Sequence, residues 1–238
     1  MTASPVKSAS VRAWDLPTRL FHWSLVSCMF FAWASYEYSA ELKDNTLMWH
    51  RWNGIIILVL IVFRLIWGVA GSSTSRFSAF IKWPHFAFFY AMDMLKGKKR
   101  PFLGHNPLGT WMIIALVGAV IMQATLGLFI LDHNDVIAGP LQSLISDEQA
   151  KYLGRLHRLG FKLVLGLIVI HITANSLYGL VKKDPLIQAM ITGKKPAADY
   201  EDELEASIVP HVLRRAFLCL LAAFAIVLGG ISLAGGTL

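Results

Sequence analysis

Five apolar runs, at residues 20–36, 54–71, 111–131, 161–181 and 216–234, dominate the chain. Each approaches the ~20 residues with which an α-helix crosses the hydrocarbon core of a bilayer. The runs are continuous and rich in Leu, Ile and Phe, whereas a spanning β-barrel is written as ~10-residue segments of alternating hydrophobicity. A barrel is thereby excluded, and the sequence predicts five transmembrane helices. In 238 residues these leave no room for a separate soluble domain. The charged fraction of 16%, against the ~25% of a soluble domain, points the same way. Cys28 and Cys219 both fall inside apolar runs, so no disulfide framework is expected, and no C-x-x-C-H offers covalent haem attachment.

Lys and Arg collect on the cytoplasmic side of membrane proteins, and here they set an orientation. Fifteen fall on one side: Lys7, Arg12 and Arg19 before the first run, six between Arg76 and Arg100, and six between Lys182 and Arg215. The opposite loops, at 37–51 and 132–158, hold Lys43, Arg51, Lys151, Arg155 and Arg158 beside seven acids. The expected location is the bacterial inner (plasma) membrane, multi-pass, with the N-terminus cytoplasmic and the C-terminus periplasmic. This bias accounts for most of the +7 net charge, so no nucleic-acid partner is needed to explain it. Ala32-Trp33-Ala34 resembles a signal-peptidase site, but a long preceding arm and bulky aromatics argue that the first span is retained.

Between spans, Pro84 opens an aromatic stretch, 86–95, followed by Lys96-Gly97-Lys98-Lys99-Arg100, which reads as a short helix lying in the cytoplasmic interface. Asn106-Pro107 is a helix-start signal for the third span. The acidic run 199–205 reads as a solvated, flexible link between the fourth and fifth spans. Arg64 and Lys162 are the basic residues within spans, each near an end from which it can snorkel to the interface.

The eight histidines divide into two groups. His85, His105, His133 and His211 fall in loops or interfaces and are assigned no role. His22, His50, His157 and His171 lie at the ends of, or inside, apolar helices, where a polar side chain is costly and needs a partner. His157 and His171 are fourteen residues apart, which on an α-helix puts both on one face about 21 Å apart in height. His22, at the inner start of span one, then shares a level with His171. His50, at the outer start of span two, shares one with His157. Two level-matched imidazole pairs are what two stacked b-type haems require, each iron taking a His from two facing helices. Gly54, Gly160 and Gly166 lie near the ligands and leave room for a macrocycle, and Arg19, Arg51, Arg155 and Arg158 are candidate partners for haem propionates.

Trp14-Asp15-Leu16-Pro17-Thr18-Arg19-Leu20-Phe21-His22-Trp23, the segment 104–109, Leu156-His157-Arg158 through Ile170-His171, Asp184-Pro185-Leu186 and Ala189-Met190-Ile191-Thr192-Gly193-Lys194 together resemble the bacterial cytochrome b561 group, which includes the b-type subunits of nickel-iron hydrogenases. The resemblance covers roughly residues 12–196. It implies an all-α membrane protein, a four-helix transmembrane haem-binding bundle with His22, His50, His157 and His171 at the ligand positions. It also implies two non-covalent haem b and electron transfer between a periplasmic partner, a c-type cytochrome or redox enzyme subunit, and membrane quinone. A fifth C-terminal helix lies outside the shared core; Ala225 and Gly229, four apart, would allow close helix approach, as in a homo-oligomer. The expected division is an N-terminal arm at 1–19, a di-haem domain at 20–196, an acidic linker at 197–215 and the added helix at 216–238.

Two other functions compete. The same resemblance allows a stand-alone superoxide:quinone oxidoreductase. A histidine-based metal or proton transporter is a different class, but such sites add acidic residues or broken helices at the midplane, and the spans contain neither Asp nor Glu.

Overall fold

The computed structural model describes residues 10–44, 46–98, 100–132 and 137–237; Lys7, Lys99 and His133 lie outside them. Eight α-helices are formed among these: α1 (Leu16–Glu37), α2 (Met48–Ala70), α3 (Phe77–Phe80), α4 (Pro84–Leu95), α5 (Pro107–Gly127), α6 (Asp147–Lys182), α7 (Leu186–Thr192) and α8 (Val212–Leu233). Short strands β1 (Ser10–Arg12) and β4 (Lys194–Pro196) pair antiparallel, as do β2 (Leu131–Asp132) and β3 (Ile137–Ala138).

Helix starts follow from side-chain caps. Asp15 accepts the Thr18 amide at 2.8 Å before α1. Asp44 accepts the amides of Met48 and Trp49 at 2.9 and 2.8 Å before α2, and Asn106 accepts that of Gly109 at 2.8 Å before α5, with Pro107 in its first turn. Ser146 and Gln149 form a reciprocal capping box before α6, whose first turn also carries Asp147 and Glu148. α7 stops at Gly193, whose φ of 82° favours glycine.

α2, α5, α6 and α8 are each long and apolar enough to cross a membrane. α1 has the length, 22 residues, but is not among them. His22, Arg19 and a series of Ser, Trp and Tyr residues dilute its hydropathy although its aromatics suit a membrane environment.

The chain divides into two compact units. One comprises residues 20–66, 114–169 and 217–238. Its core sets Ile57 and Ile61 of α2 against Ala119 and Val120 of α5 and Val164 of α6, with Phe21, Leu25 and Met29 of α1 packed alongside, so four helices share one apolar centre. Here α8 buries Cys219, Ala223, Val227 and Ile231, a one-in-four stripe, and the Thr237 amide donates to the Pro140 carbonyl at 3.1 Å. Ala225 is exposed.

The other unit comprises residues 1–19, 67–113 and 170–216. Its core joins Ala13, Trp14, Leu103, Ala189 and Ala206. The expectation of a solvated acidic run fails here. Asp202 accepts the amides of Leu103 and Gly104 at 2.7 and 2.8 Å, Glu201 pairs with Arg100 at 3.0 Å, and Glu203 accepts the Ser73 hydroxyl. Glu205 pairs with Arg12 at 3.4 Å, so four of the five acids meet a donor and the run is a clasp and not a loose link. Lys195 of β4 is 1% exposed; its ammonium donates to the Phe102 carbonyl at 2.9 Å and sits 3.0 Å from Asp184. Burial pushes the Lys195 pKa below the usual lysine range, and Asp184 opposes that shift. Arg64 is also a correction, since it is 4% exposed and buried within its unit, while Lys162 is exposed as expected.

Candidate functional site

The unit built on residues 20–66, 114–169 and 217–238 brings two of the four singled-out histidines together. The Asp44 cap starts α2 so that His50 and Arg51 fall in its first turn, and α6 presents His157 opposite them. The two imidazole centroids are 6.2 Å apart and the rings are nearly perpendicular, at 82°. His50 Nδ1 is 2.8 Å from the Ala32 carbonyl of α1, and His157 Nδ1 is 3.0 Å from the Gln123 carbonyl of α5. A carbonyl oxygen only accepts, so each Nδ1 donates its proton, and on both rings the lone pair is left on Nε2. Metal-bound histidines are held in the same way, the ring nitrogen away from the metal donating to a carbonyl that fixes the tautomer and the ring's orientation.

The distance itself can be tested. A metal–imidazole bond is about 2 Å and a ring nitrogen lies about 1 Å from its ring centre. Two imidazoles on opposite sides of one metal ion therefore have centroids about 6 Å apart, as His50 and His157 do. Among the described residues no group of three or more His, Cys, Asp or Glu stands together to complete an ordinary protein-only metal centre. Two imidazoles at this spacing would suit a group that brings the rest of its metal's coordination with it.

The surroundings fit such a ligand. A cleft there is lined by His50, Arg51, Gly54, Ala124, Gly127 and His157 among others. A Cβ on Gly54 would meet nothing within 4 Å, whereas one on Gly127 would lie 3.2 Å from His157 Cε1. Gly54 therefore leaves space, and Gly127 lets α5 approach the ring. Arg51 Nε is buried without a hydrogen-bond partner, a donor at the cleft suited to a carboxylate.

The remaining predicted residues are placed as follows. His22 lies on α1 in this same unit, half-buried, with its ring edge-on to Trp23 at 5.0 Å. His171 lies on α6 in the other unit, half-buried, with Asn175 Nδ2 at 3.2 Å from its Nδ1. Arg19 donates to the Ile191 carbonyl, and its Nε lies 3.0 Å from where a Cβ on Gly193 would stand, so it fastens the end of α7. Arg155 stacks on the Tyr152 ring at 5.5 Å, and both Arg155 and Arg158 are exposed. Gly160 faces Gln123, whose Oε1 would be 2.4 Å from an added Cβ, while Gly166 has open space. Of the histidines assigned no role, His105 lies between Trp14 and Phe80, with ring centroids 4.6 Å away on each side and planes tilted by 50° and 58°. Sequence reasoning missed Gly127 and the carbonyls of Ala32 and Gln123. Backbone acceptors carry no residue-type signal; Gly127 was visible only as a glycine near the outer end of its span.

A family model described as prokaryotic cytochrome b561 matches residues 13–193. The chain belongs to the prokaryotic cytochrome b561 family. It is also similar to a protein named probable Ni/Fe-hydrogenase B-type cytochrome subunit from Rhizobium leguminosarum bv. viciae, 21% identical over 229 residues that cover 83% of this chain and 93% of that protein. As a member of the cytochrome b561 family it is a multi-pass membrane protein of b-haem electron transfer. The family match ends at Gly193, so α8 lies outside the residues this cytochrome shares with the family model.

Proposed function

We propose that this protein carries electrons across the bacterial inner membrane through two non-covalent b haems, between a periplasmic redox enzyme subunit or c-type cytochrome and membrane quinone. His50 and His157 would hold the periplasmic haem, and on the sequence spacing alone His22 and His171 would hold the cytoplasmic one. The observation that carries the reading is two imidazoles 6.2 Å apart, each with Nδ1 donating to a backbone carbonyl and the lone pair left on Nε2, at a cleft lined by Arg51, whose Nε is buried without a partner among the described residues. When bound, haem supplies a one-electron ferric/ferrous couple whose potential the protein sets by ligands, hydrogen bonds and burial. The chain's own part is to hold both rings in one tautomer between the helices. Arg51 is the propionate partner the geometry favours. Arg19, Arg155 and Arg158 complete the proposed set, although Arg19 Nη1 is bonded to the Ile191 carbonyl and the other two are exposed. In this reading α1 is the fifth span, with the N-terminus inside and the C-terminus outside. A hydrogenase cytochrome subunit among the relatives favours a partnered protein over a stand-alone superoxide:quinone oxidoreductase. The exposed Ala225 and neighbouring Gly229 leave one face of α8 for a second copy.

Replacing each histidine by Ala and titrating the haem absorbance against potential tests this. His50→Ala and His157→Ala are expected to remove one component, and His22→Ala and His171→Ala the other. Pairing of His22→Ala with His157→Ala in a folded protein would overturn it.

A further inference from the structure

Asn53 is 5% exposed on α2, three residues after His50. A buried amide inside an apolar span is costly unless it is bonded, and its bond is specific: Nδ2 donates to the Cys28 carbonyl of α1 at 2.9 Å. His50 donates to the Ala32 carbonyl of the same helix. Two donors one turn apart on α2 thus grip two carbonyls one turn apart on α1, and the Asn53 bond fixes the height and rotation at which His50 meets its own acceptor. That acceptor is shared, because the fully buried Ser35 also donates its hydroxyl to the Ala32 carbonyl, at 3.2 Å.

The strength of the Nδ1–H bond matters for a ligating imidazole. A firmer bond makes Nε2 more basic, and a more basic ligand favours the ferric over the ferrous state, which lowers the reduction potential. We propose that Asn53 is a positioning residue for His50, and that Asn53 and Ser35 act in opposite directions on the potential of the haem that His50 holds. Asn53 holds the ring to its acceptor; Ser35 draws on the same acceptor. This rests on the haem reading of His50 and His157.

The test is potentiometric titration of the full-length protein in detergent, with haem content and low-temperature electron paramagnetic resonance measured on each sample. His50→Ala first identifies the component that depends on His50. Asn53→Leu, which keeps the volume and removes the donor, is expected to raise the potential of that component and change its resonance signal, with the other component unmoved. Ser35→Ala is expected to lower it. Asn53→Gln, which keeps an amide donor, should shift it less than Asn53→Leu. Should Asn53→Leu fail to retain haem, the Ser35→Ala decrease together with a near-native Asn53→Gln still supports the proposal. Unmoved potentials in all retained variants, or equal shifts of both components, would overturn it. A wild-type protein without haem would defeat the underlying haem reading instead, a distinguishable result.

Discussion

Gly54 is where a single side chain decides between an open cleft and a filled one. It lies one turn beyond His50, and nothing stands within 4 Å of an added Cβ. Gly54→Ala should therefore leave haem content near wild type, while Gly54→Leu should lower it severalfold with helical circular dichroism unchanged. Haem quantitation by the pyridine haemochrome checks both. Lys195 is the corresponding residue of structural consequence. Because its ammonium is enclosed with Asp184 and the Phe102 carbonyl, Lys195→Met should cost about 3 kcal/mol, the lower end for breaking a buried pair, since Asp184 keeps some contact with water. Lys195→Met combined with Asp184→Leu should recover part of that loss, as thermal unfolding of the two variants would show.

At the scale of elements, the clasp of residues 199–206 is held by exposed ion pairs that respond to pH. The Arg100 hydrogen bond holds the Glu201 carboxyl below the usual carboxylate range, and Lys98 does the same for Asp93. A carboxyl whose folded value is depressed stabilises above its unfolded pKa, about 4.3 for Glu, and that contribution is lost as pH falls through the folded value. Hydrogen exchange of residues 199–206 should thus accelerate on acidification below that point relative to the buried stretches of α2, after correction for the intrinsic rate. Glu201→Gln should cost no more than about 1 kcal/mol, because exposed pairs are weak. This clasp was not legible in the sequence: an acidic run bonds to amides and hydroxyls distant in the chain, and only the fold brings Leu103, Gly104 and Ser73 to it. The main helices were legible because apolar length is a local property, and α4 and the Asn106-Pro107 start of α5 were so for the same reason. β1 and β4, three residues each, start 184 residues apart and carried no signal. At the site, His50 and His157 could be read from spacing and depth, while the carbonyls that orient them could not. His22 and His171 rest on that same spacing and remain the proposed inner pair.

For the whole molecule, the fifteen-to-five division of loop Lys and Arg predicts sidedness. In intact cells, Lys151→Cys should react with an impermeant thiol reagent and Lys98→Cys should be protected until the membrane is opened, in a background lacking Cys28 and Cys219. The reverse pattern would invert the molecule and exchange the sides assigned to the two haems.

The 36 residues of α6 form one unbroken helix with His157 and His171 both upon it. A rod of that kind acts as a fixed gauge. Inserting one residue between the two histidines would swing one of them by about 100° and lift it by about 1.5 Å, so that facing and height are lost together. Deleting seven would keep both on one face and halve their spacing to about 10.5 Å. Random drift in the length of this segment is therefore barred to the cytochrome. Whole-turn changes keep the two histidines facing but alter their separation along the helix, so in the proposed di-haem reading the present length alone keeps both.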